Sequence, residues 1–187
     1  MIPVEEAAAR LLALARPLPA EPVPLTQAAG RWMAEPALAR RDQPPFDTSA
    51  MDGYAVQGDP APGDSFTVIG EAGAGHSFTG TLGHGQAVRI FTGAPVPAGA
   101  TRVVIQEDVR RDGGCITLTD TDSGTNIRLR GQDFPTGAAL TPRRLRPADL
   151  ALLAAMNLPR VAVARRPVVA LIATGDELVM PGEDPGP

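Results

Sequence analysis

The sequence has 187 residues, 43% hydrophobic and 20% charged, which suffices for a buried core without disulfides. With 17 basic and 21 acidic residues the formal net charge is −4, and no long basic run offers a phosphate-backbone track. Aromatics at 4% exclude a stacking platform for single strands, and the lone Cys115 excludes a disulfide framework or a cysteine-rich zinc site. No run approaches the ~20 apolar residues of a membrane span. Acidic Glu5 and Glu6 stand where a signal peptide needs positive charge. The expectation is a cytoplasmic protein without nucleic-acid or membrane partners.

In chain order, residues 3–16 predict a helix. Pro3 suits its first position, Glu5 and Glu6 its first turn, and Val4, Ala8, Leu11, Leu12 and Ala15 a buried face. Pro17, Pro19, Pro22 and Pro24 force an extended connection. A short helix is expected over Thr26–Met33, with Trp32 in the core. Residues 44–54 show no helical or strand period and read as a polar linker with apolar anchors. Short strands follow at Phe66–Ile69, Ala87–Phe91, Val103–Gln106, Ile116–Leu118 and Ile127–Leu129, with Gly113-Gly114 as a hairpin turn. Cys115 reads as a small apolar strand residue, and His76 and His84 as solvated loop residues.

Helix returns at Pro147–Met156, stopped by Asn157 and Pro159. The run Val168–Ala173 predicts a strand buried on both faces. The expected fold class is α+β: a discontinuous helix-containing domain with an inserted mainly β domain, plus the first strand of a truncated α/β domain. The boundaries fall at 1–43, 44–138, 139–166 and 167–187.

Four polar clusters could carry chemistry: residues 47–54, 92–95, 126–133 and 174–178. Each places a carboxylate or hydroxyl on a glycine-containing turn, where backbone N–H groups can approach an anion. Carboxylates on separate loops could share a hard cation such as Mg²⁺. Asp-Gly and Thr-Gly pairs are equally ordinary turn chemistry. Arg143, Arg144 and Arg146 read as a solvated face, with a phosphate role as the alternative. Spacing alone assigns no function.

Together, however, the clusters resemble a known family. Pro45-Phe46-Asp47-Thr48-Ser49-Ala50-Met51-Asp52-Gly53-Tyr54-Ala55-Val56 is similar to the signature loop of the molybdopterin molybdenumtransferases, the MoeA and gephyrin E-domain family. The runs 87–97, 126–133 and 173–178 resemble its other motifs, in the family's order. The resemblance implies an enzyme that inserts molybdate into adenylated molybdopterin and releases AMP, with Mg²⁺, as a homodimer. Molybdopterin adenylyltransferase is a further implied partner. It implies catalytic roles for Asp52, Thr92, Asp133 and Glu177, with Asp52, Asp133 and Glu177 as metal ligands. Ser49, Gly53, Gly93, Arg128, Gly175 and Asp176 are implied to bind the substrate. Gln132, Gln57 and Thr101-Arg102 depart from the family pattern. Most of a third domain and all of a fourth are missing, so this chain alone is expected to be inactive. The alternative is a non-catalytic scaffold or molybdopterin-binding interaction module.

Overall fold

A computed structural model describes residues 2–172, 174–175 and 178–184. The chain first forms helix α1 (Val4–Leu14), strand β1 (Ala20–Pro24) and the two-residue strands β2 (Ala37–Leu38) and β3 (Thr48–Ser49). Strands β4 (Gly53–Val56), β5 (Ser65–Ala72), β6 (Gln86–Ile90) and β7 (Arg102–Ile105) follow. Next come β8 (Val109–Asp112), β9 (Cys115–Leu118), β10 (Ile127–Arg128) and β11 (Ala139–Leu140). Helix α2 (Pro147–Ala155) and strand β12 (Arg160–Ala164) complete the regular elements.

The two flanks of the chain build one core. β1 pairs antiparallel with β12, Val23 opposite Val161, and β2 pairs antiparallel with β11. Val23, Met33, Leu145, Leu153, Met156 and Val163 pack together there, drawn from both sides of the intervening β segment. Pro147 opens α2, and Asp149 accepts the Arg146 N–H at 2.8 Å, satisfying a donor at the helix start.

Between the flanks lies a mixed six-stranded sheet in the order β7-β4-β6-β5-β9-β8, with only β5 and β6 parallel. Alternation along the strands serves two cores. Tyr54, Val56, Ala87 and Val104 pack on one face, while Ala55, Val88, Ile90 and Val103 pack on the other. All four residues of β4 are buried for this reason. The α+β class, a helix-containing unit interrupted by a mainly β one, is the architecture observed.

Several local expectations are corrected. Helix α1 forms, but none of its residues is buried, and Val4, Leu11 and Leu12 remain exposed. An apolar stripe stays in solvent when no described element covers it. In place of a helix at 26–33 there is one 3₁₀ turn, Leu25–Gln27, after which Gly30 takes φ +73° and the chain extends. Extended residues alternate, so Met33 enters the core fully and Trp32 points outward, 58% exposed. Residues 44–54 are no mere linker, since they hold β3 and the start of β4. Cys115 is exposed because alternation on β9 turns Ile116 and Leu118 inward. β8 was not anticipated; it pairs with β9 across Gly113-Gly114. Val168, Val169, Leu171 and Ile172 are exposed and form no strand, there being no described neighbour to pair with; Ala173 lies outside the described residues.

Candidate functional site

The sheet brings together the first two polar clusters. Asp52 immediately precedes β4, and Thr92 follows β6, its antiparallel neighbour. Asp52 Oδ1 accepts both the Thr92 backbone N–H and its hydroxyl, each at 2.7 Å. Arg89, opposite Tyr54 in the ladder, has its guanidinium over both the Tyr54 and Phe91 rings, 5.0 and 4.8 Å from their centroids. Its guanidinium donates to Gln106 Oε1 at 2.6 Å and to the Gly53 carbonyl at 3.3 Å. The two Thr92 bonds, and then the Arg89 positive charge, hold the Asp52 carboxyl below the usual carboxylate range. Asp52 therefore carries full negative charge at neutral pH, with Oδ2 accepting no hydrogen bond among the described residues. Thr92 directs both its backbone N–H and its hydroxyl at Asp52 Oδ1 and so fixes that carboxylate in one orientation.

Three of the residues implied to bind the substrate are tied into the backbone of the same turns. Ser49 is 1% exposed, and its hydroxyl donates to the Met51 carbonyl at 2.5 Å. Gly53 is buried in β4, where a Cβ would stand 1.9 Å from the Val104 carbonyl oxygen. The Gly93 N–H donates to the Ser49 carbonyl at 2.9 Å, with Gly93 at φ +81°. The Ser49 hydroxyl and the Gly93 N–H are thus engaged within the protein, and Gly53 is where β7 approaches β4 most closely.

The third cluster is fastened to the first by the β3–β10 ladder, Ser49 opposite Ile127 and Thr48 opposite Arg128. Arg128 and Asp133 form a half-exposed ion pair at 2.5 Å, leaving Asp133 Oδ2 without a hydrogen bond among the described residues. Gln132 Oε1 accepts the Leu129 N–H at 3.0 Å, which shows how an amide serves here in place of an acid. Thr101 and Arg102 are likewise accommodated: Thr101 Oγ1 accepts the Gly58 N–H at 2.9 Å, and Arg102 pairs with Asp59 at 2.9 Å.

Asp42 is a residue the sequence alone did not single out. It accepts the Thr136 backbone N–H at 2.6 Å, Arg130 Nε at 2.5 Å and the Thr136 hydroxyl at 2.8 Å. These three contacts, in that order of weight, bring its pKa from 3.8 down to about 2. A depressed carboxyl stabilises the fold above its ordinary pKa and loses that contribution as pH falls through the folded value. Asp42→Asn is thus expected to lower the unfolding midpoint at pH 7. The gap to the parent should close between about pH 4 and pH 2, which thermal melts across that range would check.

Among the described residues no group of three or more His, Cys, Asp or Glu side chains is arranged to hold a metal. Asp176 and Glu177 lie outside the described residues. Gly175 is exposed, and its carbonyl accepts the Leu178 N–H at 3.2 Å. His76 and His84 are solvated, as expected. No helix among the described residues is long and apolar enough to cross a membrane.

Known proteins share this architecture. Residues 2–157 match the family profile described as MoeA N-terminal region (domain I and II). A molybdopterin molybdenumtransferase of Nostoc sp. is 42% identical over 168 residues, covering 85% of this chain and 38% of that protein. Its counterpart in Haemophilus influenzae is 35% identical over 98% of this chain and 47% of that protein. The crystal structure of a molybdopterin biosynthesis moeA protein from Pyrococcus horikoshii superposes with TM-score 0.89 at 35% identity, covering 99% of this chain and 52% of that one. The chain spans about half the length of the relatives it matches, or somewhat less.

Proposed function

Because the chain belongs to the family of the MoeA N-terminal region, domains I and II, we propose that it is the N-terminal part of an enzyme that inserts molybdate into adenylated molybdopterin and releases AMP. The observation that carries this reading is Asp52, ionised and fixed by Thr92 on a turn beside Arg89. A carboxylate held this way, with one oxygen free, suits a hard cation or a polarised water.

The free Oδ2 of Asp52 is a hard oxygen of the kind Mg²⁺ takes, and magnesium needs only one or two carboxylates when phosphates complete its shell. Asp133 lies beside Leu152 and Met156 of the helix-bearing core, and its place as a second ligand rests on the resemblance. Bound at Asp52, the ion would neutralise phosphoanhydride oxygens as AMP departs. Thr92 keeps the Asp52 carboxylate in one orientation, and Arg89 supplies positive charge beside it while its guanidinium rests over the Tyr54 and Phe91 rings. Arg128 balances Asp133. The resemblance gives Glu177, Asp176 and Gly175 to the same site. The homodimer and the contact with molybdopterin adenylyltransferase belong to the same reading and rest on the resemblance.

A chimera tests it. Residues 2–157 should replace the matching region of the Haemophilus relative and restore molybdoenzyme activity in cells lacking their own transferase. A chimera that accumulates in folded form without restoring it contradicts the reading.

A further inference from the structure

On the helix-bearing core, two open surface depressions of about 650 and 550 Å³ adjoin, sharing Gly30 and Arg144 in their walls. Neither is lined by any residue of the Asp52 site. Arg143, Arg144 and Arg146, on the turn between β11 and α2, line the first. Arg165, Arg166 and Trp32 line the second, again with Arg144.

The charge balance of this concavity is one-sided. Asp149 lies 3.7 Å from Arg143 and 3.6 Å from Arg146, and it also accepts the Arg146 N–H. Arg31, at the floor of the second cavity, is matched by Glu21 at 2.5 Å. Arg144 donates only to the Gly30 carbonyl at 3.3 Å, and the guanidinium groups of Arg165 and Arg166 have no partner among the described residues. Three unbalanced cations thus face a pocket in a chain whose net charge is −4. Concave walls concentrate that positive potential. Trp32 adds a flat apolar face at the rim: it is 58% exposed, and no cation sits over its ring among the described residues.

We propose that this double cavity binds a small pyrophosphate-bearing anion with a planar ring, of the nucleoside diphosphate class. Arginine forks match phosphate oxygens in pairs, and three unbalanced arginines on one surface suit a ligand with more than one phosphate. The exposed indole offers the ring a stacking surface. A nucleic acid is disfavoured because the chain as a whole is acidic, with no long basic run to track a backbone. The proposal stands apart from the transferase reading and does not need it.

Trp32 is the only tryptophan, so fluorescence excited selectively at tryptophan, beyond the absorption of Tyr54, reports on this site. Titrating the 187-residue protein with ADP is expected to give a saturable fluorescence change. Inorganic pyrophosphate should bind more weakly than ADP, adenosine more weakly still, and the ADP affinity should fall as salt rises. The double variant Arg144→Ala/Arg166→Ala should bind ADP at least about tenfold more weakly. Its unfolding midpoint should stay at the parent's value, since these side chains hold little of the fold. A second variant, Arg165→Ala, should weaken binding in the same direction. The proposal is overturned if ADP gives no saturable change, or if adenosine binds as tightly as ADP. Undiminished binding by the folded double variant overturns it too, as does an octaglutamate peptide displacing ADP at lower concentration than pyrophosphate does, which would make the surface a protein-docking site.

Discussion

Asp52→Asn, placed in a complete transferase through the chimera above, is expected to lower molybdate-dependent AMP release about 100-fold or more. The substitution keeps an oxygen where Thr92 donates twice at 2.7 Å, so the turn after β6 should keep its shape. What disappears is the negative charge that Thr92 and Arg89 stabilise. Unfolding midpoints of parent and variant should therefore agree within a degree or two while turnover collapses. A variant that stays active would favour the non-catalytic module. A variant that melts far below the parent would make Asp52 a structural residue.

Gly53→Ala should do the opposite, one position along the chain. A Cβ there would lie 1.9 Å from the Val104 carbonyl oxygen and 3.1 Å from the Ile105 Cα, both backbone atoms of β7. No rotamer change relieves such a contact, so β4 and β7 must separate, and β4 is central in the six-stranded sheet. Overpacking of this severity costs about 3 kcal/mol or more. For a chain of this size that corresponds to a fall of roughly 10 °C in Tm. Differential scanning calorimetry on the isolated protein measures it. A midpoint unchanged by the substitution would refute the close-approach role and return Gly53 to the list of ligand contacts.

These neighbouring positions show where the sequence was readable. Strands whose apolar runs stand clear of glycine, such as the central part of β6 or Ile116–Leu118 in β9, were legible from their residues. β4 was not, because Asp52-Gly53 is locally indistinguishable from a turn signal, and the glycine is there to let β7 approach. Trp32 misled by its size: only the extended path after Gly30 decides that Met33, and not Trp32, turns inward.

The site was legible in its parts more than in its wiring. Asp52 and Thr92 lie in motifs visible in the sequence, yet the bond between them spans 40 residues and follows from β4–β6 register. Arg89 reads as an ordinary charged residue in a strand until Tyr54 is seen opposite it. Asp42 carries no local signal at all. Its partners, Arg130 and Thr136, lie 88 and 94 residues away, and only the fold brings them together.

The claim at the centre of this account is that an ionised Asp52 serves molybdate insertion. Its most direct test is AMP release from adenylated molybdopterin by the purified chimera carrying residues 2–157, with and without molybdate, for the parent and for Asp52→Asn. AMP release by the parent is expected to require molybdate and Mg²⁺ and to be nearly lost in the variant. Equal release by the two folded proteins, or none from the folded parent, would contradict it.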